Sequence, residues 1–347
     1  MILKLKSFFV FALTSLSAPL RQFVPLGSGK PRSKPKRPFP LARFATVLAL
    51  GFFCAAGAAE ATCASSARVA EIAPGVFVRP GRHGVVFEAP EIANVGFVIG
   101  ERCVAVIDSG GSYAEGESLR CAVRRRTALP VCFVINTHVH PDHMLGNLAF
   151  KSSQTSFVGH SKLPRALALR GDTYLQRAAS SAGEGLGPEH IVAPDRSVEG
   201  TLDLDLGNRT LQVTAHSTAH TDNDVSVLDL KTDTLWLGDL VFMQHVPVLD
   251  GSLNGWLEVL GALMARPARR VVPGHGPVQA EWPVAADDTL RYLSLLREET
   301  RRWLANGGDL RRGQNQVGYQ EAPRWQLFER HHKRNVTAAV NEIEWEN

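Results

Sequence analysis

Beyond residue 75 the chain alternates between two hydrophobic rhythms. Residues 76–79, 94–99, 104–108 and 131–135 are short, apolar and largely β-branched, the pattern of strands. Val104-Ala105-Val106-Ile107 has no polar interruption, as expected of a strand covered on both faces. Between these runs, residues 112–126 place Leu119, Ala122 and Val123 on one stripe, which is helical spacing. Ser112 can cap that helix, and Glu115 sits at the reciprocal capping-box position. Residues 162–182 predict another helix, ended by the loop at 183–188. Two hairpins follow, 202–206 with 210–213 around Gly207-Asn208, and 225–230 with 234–237 around 231–233. A helix over 253–265 and a strand over 270–272 lead into Pro273-Gly274-His275-Gly276. Polar-faced helices at 285–306 and 325–344 close the chain, joined by a Gly/Arg/Gln-rich stretch. Strand groups in both halves with helices among them imply an α/β layered architecture, two sheets with outer helices, in one domain.

Composition changes this picture mainly at the N-terminus. The 347 residues are 44% hydrophobic and 21% charged, with a formal charge of +4. Nine of the 38 Lys/Arg and one of the 34 Asp/Glu fall in residues 1–61, leaving 29 basic against 33 acidic residues in the body. A mildly acidic body has no basic surface for nucleic acid. Arg37 and Arg43 precede the apolar run 44–53, and Ala59-Glu60-Ala61 forms a small-residue cleavage pattern before Thr62. That order predicts a secretory signal peptide. The run is too short to span a bilayer comfortably, which takes roughly 20 apolar residues. The expected product is therefore an exported, most simply periplasmic, protein with no stable membrane anchor after cleavage. The leader over 1–35 has its own apolar stretch, and no Met lies between Met1 and Met144; the expectation is a later start at a non-Met codon.

Of five cysteines, Cys54 leaves with the signal and Cys63 falls near the new terminus. Export permits one pair among Cys103, Cys121 and Cys132 to oxidise, leaving one over. The expected role of each is that of a small buried hydrophobe.

The candidate chemistry is concentrated in Thr137-His138-Val139-His140-Pro141-Asp142-His143, directly after a buried strand. In extended chain His138 and His140 point the same way, and Pro141 forces a bend before Asp142 and His143. One tight loop can thus serve two metals, and imidazole with carboxylate suits zinc. His220, Asp239 and His275 also sit at expected strand ends, where sites concentrate. A carboxylate such as Asp239 can bridge two cations about 3.5–4 Å apart.

The pattern H-x-H-x-D-H resembles the signature of the metallo-β-lactamase superfamily. The ordered companions Asp108, His220, Gly238-Asp239 and Gly274-His275-Gly276 match it too, over roughly residues 75–280. The resemblance implies a four-layered αββα sandwich with the site at one edge of the sheets. It implies that His138, His140 and His220 bind a first zinc, that Asp142, His143 and His275 bind a second, and that Asp239 bridges. Asp108 would orient the metal loop, although its position also allows it to cap the helix beginning near Ser112. Asp239 stands where true β-lactamases usually have Cys or Ser, which turns the resemblance toward thioesterase-like and general hydrolase branches. Residues 79–84, 94–100, 135–138 and 255–257 are further similar to the quinoprotein relay system zinc metallohydrolase group.

The expected activity is hydrolysis of a small ester-like or thioester-like molecule by a hydroxide that two zinc ions activate, with Asp142 and Asp239 taking part. Iron and manganese are the alternative metals. β-Lactam hydrolysis, iron-dependent sulfur dioxygenation and a non-catalytic carrier role are the alternative functions. His83, Asn223, Phe242 and His245 are candidate substrate contacts, with Asp250 a further pocket candidate; His216 is set aside as a ligand, its position suiting either a support behind a ligand or a solvated loop residue. Residues 62–347 are expected to form the hydrolase domain, with 285–347 as its helical extension.

Overall fold

The computed structural model describes residues 63, 66–82, 91–182 and 186–346. The expected leader, signal peptide and cleavage site lie outside the described residues, as does His83. Twelve strands are described: β1 (Ala70–Ala73), β2 (Val76–Arg79), β3 (Val95–Ile99), β4 (Val104–Ile107), β5 (Val131–Ile135), β6 (Ser156–His160), β7 (Arg196–Val198), β8 (Thr201–Asp205), β9 (Thr210–Ala215), β10 (Val225–Asp229), β11 (Thr234–Phe242) and β12 (Arg270–His275). The α-helices are α1 (Tyr113–Arg124), α2 (Pro141–Met144), α3 (Leu163–Ala182), α4 (Leu253–Met264), α5 (Asp287–Ala305), α6 (Leu310–Gly313) and α7 (Phe328–Ile343).

β1 to β7 form one sheet in chain order, antiparallel through β4 and parallel from β4 to β7. The second sheet runs β12-β11-β10-β9-β8, with β11 and β12 parallel and the rest antiparallel. Alternate residues of each strand enter different cores, as the pleat requires. Val95, Phe97, Val104 and Val106 face Leu119, Ala122 and Val123 of α1. Val98, Ala105, Ile107 and Ile135 face Val213, Val227, Trp236 and Val272 of the other sheet. The far face of the second sheet is covered by α4, α5 and α7. The architecture is thus helix, sheet, sheet, helix, the αββα order. A buried ion pair joins the sheets: Arg209 Nη2 lies 2.5 Å from Asp229 Oδ2, and Arg209 Nη1 donates to Pro74 O and Ile99 O, both at 2.9 Å.

Several expectations need correction. Only half of the capping box forms: Ser112 Oγ accepts from Glu115 N at 3.1 Å. The Glu115 carboxylate instead accepts from Gly111 N and pairs with Arg79. β11 does not stop at Leu237; it runs through Asp239 to Phe242 with an irregular register against β12, and Gly238 has φ +49°. β12 likewise carries through to His275. β1, β6 and β7 were not legible as strands. Among the described residues no cysteine is left over: Cys63 pairs with Cys121 and Cys103 with Cys132, with Cα separations of 5.6 and 5.8 Å. The odd cysteine of the body is taken up by the one next to the expected mature terminus.

Candidate metal centre

β4 and β5 run parallel and end at the same edge, so the residues following them meet. Asp108 takes the left-handed conformation (φ +54°) just past β4, an arrangement more tolerable for Asp than for most side chains. Its carboxylate accepts from Thr137 N and Thr137 Oγ1, both at 2.8 Å, and from His143 Nδ1 at 2.8 Å. Asp108 therefore organises the loop after β5 and does not cap α1, which Ser112 serves. The chain bends through Thr137, His138 and Val139, so the fully extended run expected there does not form; His140 is extended, and Pro141 opens the single-turn α2. Proline at a first helical position has the right fixed φ and loses no needed donor. This switch sends His138 and His140 one way and Asp142 and His143 another.

The other side chains arrive from the second sheet. His220 lies in the turn between β9 and β10, and Val225 N donates to Thr137 O at 2.8 Å, tying that turn to the metal loop. Asp239 comes from the irregular middle of β11 and His275 from the end of β12. Two glycines make room. A Cβ at Gly238 would lie 2.7 Å from Thr137 Cβ, and one at Gly274 would lie 2.0 Å from Asp239 Oδ1.

The structure gathers these side chains into two groups, His138, His140, His220 and Asp239, and Asp142, His143 and His275. In the first, His140 Nδ1 is 3.1 Å from His138 Nε2 and 3.0 Å from His220 Nε2. Asp239 Oδ2 lies 3.7 Å from His138 Nε2, 3.5 Å from His220 Nε2 and 3.4 Å from His275 Nε2. Asp239 Oδ1 lies 3.2 Å from His143 Nε2. Asp142 Oδ2 is 3.5 Å from His143 Nε2 and 3.4 Å from His275 Nε2. Asp239 thus stands between the groups: Oδ2 approaches His138 and His220 of the first and His275 of the second, and Oδ1 approaches His143 of the second.

The donors fit cations for a reason that the outer hydrogen bonds supply. His138 Nδ1 donates to Thr137 Oγ1 at 3.0 Å, His140 Nε2 to Asp250 Oδ2 at 3.1 Å and His220 Nδ1 to Val248 O at 2.6 Å. His143 Nδ1 donates to Asp108, and His275 Nδ1 to Ile92 O at 3.2 Å. Every imidazole spends its proton on the far side, leaving a lone pair facing inward. Lone pairs about 3 Å apart repel unless a cation lies between them. For metal–nitrogen bonds of about 2.0–2.1 Å, the edge of a tetrahedron is roughly 3.3 Å, close to the spacing found. The inward His143 Nε2 and Asp239 Oδ1 are buried with no hydrogen-bond partner.

The electrostatics agree. Burial, aided by His143, holds His138 well below its ordinary pKa, and burial pushes His220 down to about 3. Burial would lower His143 too, but Asp239, Asp142 and Asp108 outweigh it and hold that ring well above its ordinary value. Burial would raise Asp239, yet His275, His143 and His138 keep it well below the carboxylate range. The negative charge that draws a proton to His143 is the charge a dication would neutralise.

Other candidates stand apart from the two groups. Phe242 and His245 are buried and stack on His275 at centroid separations of 5.1 Å each. They form the floor beneath a ligand ring and do not line an open pocket. Asn223 is fully buried, and its amide donates to Asp222 Oδ1 at 2.7 Å. His216 donates or accepts at Ser226 Oγ, 2.8 Å away, outside both groups. Asp250, expected as a pocket residue, supports His140 and pairs with Arg170 and Arg334. Asn94 was missed as a site residue. Its Nδ2 donates to Pro273 O at 2.8 Å and Gly276 O at 3.0 Å, clamping the His275 turn to β3. A lone Asn beside a strand carries no sequence signal for that task.

A two-sheet sandwich with paired His/Asp groups at the sheet ends defines a class. The chain belongs to the metallo-beta-lactamase superfamily, whose profile matches residues 89–275, and with its His/Asp site intact it is a metal-dependent hydrolase. Among solved structures it is similar to a metallo-beta-lactamase from Pontibacter korlensis, at 21% identity and TM-score 0.53, over 65% of this chain and 98% of that one. It is similar to the metallo-beta-lactamase IND-7 at 20% identity and TM-score 0.53, over 65% of this chain and 97% of that one. The inverting sec-alkylsulfatase Pisa1 from Pseudomonas sp. aligns at 14% identity and TM-score 0.64, over 79% of this chain and 50% of that one. At these identities the likeness concerns the fold. A search of curated proteins finds no match.

Proposed function

We propose that this chain is an exported zinc hydrolase of the quinoprotein relay type, acting on a small ester or thioester. The observation that carries the reading is Asp239 between the two groups, a carboxylate within 3.7 Å of ring nitrogens of both. The residue at that place separates this chain from the β-lactamases in the sequence resemblance. Two cations, when bound, supply an acidified water and stabilise charge developing on a substrate oxygen. The chain's own contribution is geometry. Five imidazoles are locked in one tautomer each, and two carboxylates face them. Asp142 is the more exposed of these, at 16% against 4% for Asp239, so it is placed to meet water and substrate. Its Oδ2 can orient a nucleophilic water and hold the proton released from it. His138, His143, His220 and His275 form a dry inner wall, each at most 3% exposed. Two disulfides suit an oxidising compartment, in keeping with export. Among the described residues no helix is long and apolar enough to cross a membrane.

The test is metal analysis of residues 62–347 followed by a substrate panel. We expect about two zinc atoms per chain and turnover of thioesters or esters ahead of nitrocefin and a secondary alkyl sulfate. About one iron atom per chain with little zinc, and oxygen-dependent turnover of a persulfide, would replace this reading with sulfur oxidation.

A further inference from the structure

The last helix reaches the outer partners of two first-group histidines from adjacent positions. Both partners lie on the loop between β11 and α4. Val248 O accepts from His220 Nδ1, and Asp250 Oδ2 accepts from His140 Nε2. Asn335 of α7, fully buried, grips this loop on either side of Val248. Its Oδ1 accepts from Leu249 N at 2.9 Å, and its Nδ2 donates to Pro247 O at 2.6 Å. Next to it, Arg334 Nη2 donates to Asp250 Oδ1 at 2.6 Å, the oxygen that does not face His140. About two turns further on, Glu342 accepts from Ser252 Oγ at 2.8 Å and from Leu253 N at 2.6 Å, holding the loop's far end. The second group takes its hydrogen-bond supports elsewhere, His143 from Asp108 and His275 from Ile92 O, and meets α7 through ring packing, His331 on His245 and His245 on His275.

We propose that α7, through Arg334 and Asn335, positions the first metal group and sets its affinity separately from that of the second. The proposal rests on the reading that two cations occupy these groups. An imidazole ligand's tautomer and angle come from the acceptor behind it, and losing such an acceptor typically costs 10–100-fold in metal affinity. Arg334 and Asn335 act one step further out, on the acceptors. Removing Arg334 takes away the partner of Asp250 Oδ1 and leaves Oδ2 shared between His140 and Arg170, so the carboxylate can turn toward Arg170 and away from His140. Replacing Asn335 by Asp turns its donor into an acceptor facing Pro247 O, which displaces the Val248 carbonyl beside it.

The experiment titrates zinc into the chelator-stripped full chain by calorimetry and records the visible spectrum of the cobalt-loaded form. For Arg334→Ala, at an exposed side chain, we expect one of two binding events to weaken by about tenfold, with the other unchanged and the cobalt bands altered. Asn335→Asp should do the same more strongly, and Arg334→Lys should restore most of the loss. Val340→Ala, which thins the packing of the same helix, should lower the melting temperature and leave both affinities intact. Variants at 334 and 335 that bind both cations like the wild type, or lose both equally, overturn the proposal. A wild-type chain that takes up fewer than two cations overturns the site reading itself, and this proposal with it.

Discussion

Replacing Asp108 by Asn changes one atom and should disable half of the site. The carboxylate accepts three hydrogen bonds, two at Oδ2, from Thr137 Oγ1 and His143 Nδ1, and one at Oδ1, from Thr137 N. Asn tolerates the left-handed backbone found here (φ +54°), so the backbone need not move. The amide can satisfy only part of this set. With its oxygen toward Thr137 N, its NH₂ faces His143 Nδ1, and the ring must turn its lone pair outward and carry the proton on Nε2, where it cannot ligate. In the flipped orientation the NH₂ meets Thr137 N–H, and two buried donors face each other. The first case should weaken binding of the second cation by about 10–100-fold, which is roughly 1.4–2.8 kcal/mol. The second should cost about 1–3 kcal/mol of stability through an unsatisfied buried donor. Zinc titration and urea denaturation of Asp108→Asn beside the wild type measure both quantities. A variant with two wild-type affinities and an unchanged midpoint refutes the reasoning.

Two further outcomes follow from groups away from the metals. Burial, with His160 and Arg266, pushes His216 down to about 4. A folded pKa below the unfolded one means that its contribution is full above pH 6.5 and is lost as pH falls toward 4. By pH 5.5 this amounts to roughly 1–2 kcal/mol, so His216→Gln should lose less stability than the wild type between pH 7 and 5.5; equal losses in urea melts would rule this out. The Cys103–Cys132 bridge closes a loop of 29 residues, for which chain entropy gives about 3–4 kcal/mol. Replacing both cysteines by alanine should lower the thermal midpoint, and the variant should then respond less to reductant than the wild type does; a midpoint unaffected by the substitution contradicts this account.

Local sequence carried the elements whose signals are local. The unbroken apolar run of β4 could only be a strand covered on both faces. Ser112 could be read as a cap because capping depends on a residue three positions away. His138 to His143 could be read as a two-way ligand loop because Pro141 must bend the chain, and the αββα sandwich came with the resemblance those residues carry. Tertiary structure decided what depends on distant neighbours. Whether β11 ends at Leu237 or continues to Phe242 is settled by β12 beside it and by a glycine at φ +49° that keeps the strand paired through an irregularity. Glu115 left its capping position because Arg79 from β2 lies against it. Cys63 found Cys121 across 58 positions, a pairing no spacing rule could choose. The acceptors behind the histidines, Val248 O, Ile92 O and Asp250, lie 28, 183 and 110 positions from their rings. The ligand residues were legible because a metal demands particular atoms. Their supports were not, because any carbonyl or carboxylate that the fold brings within hydrogen-bond distance can serve.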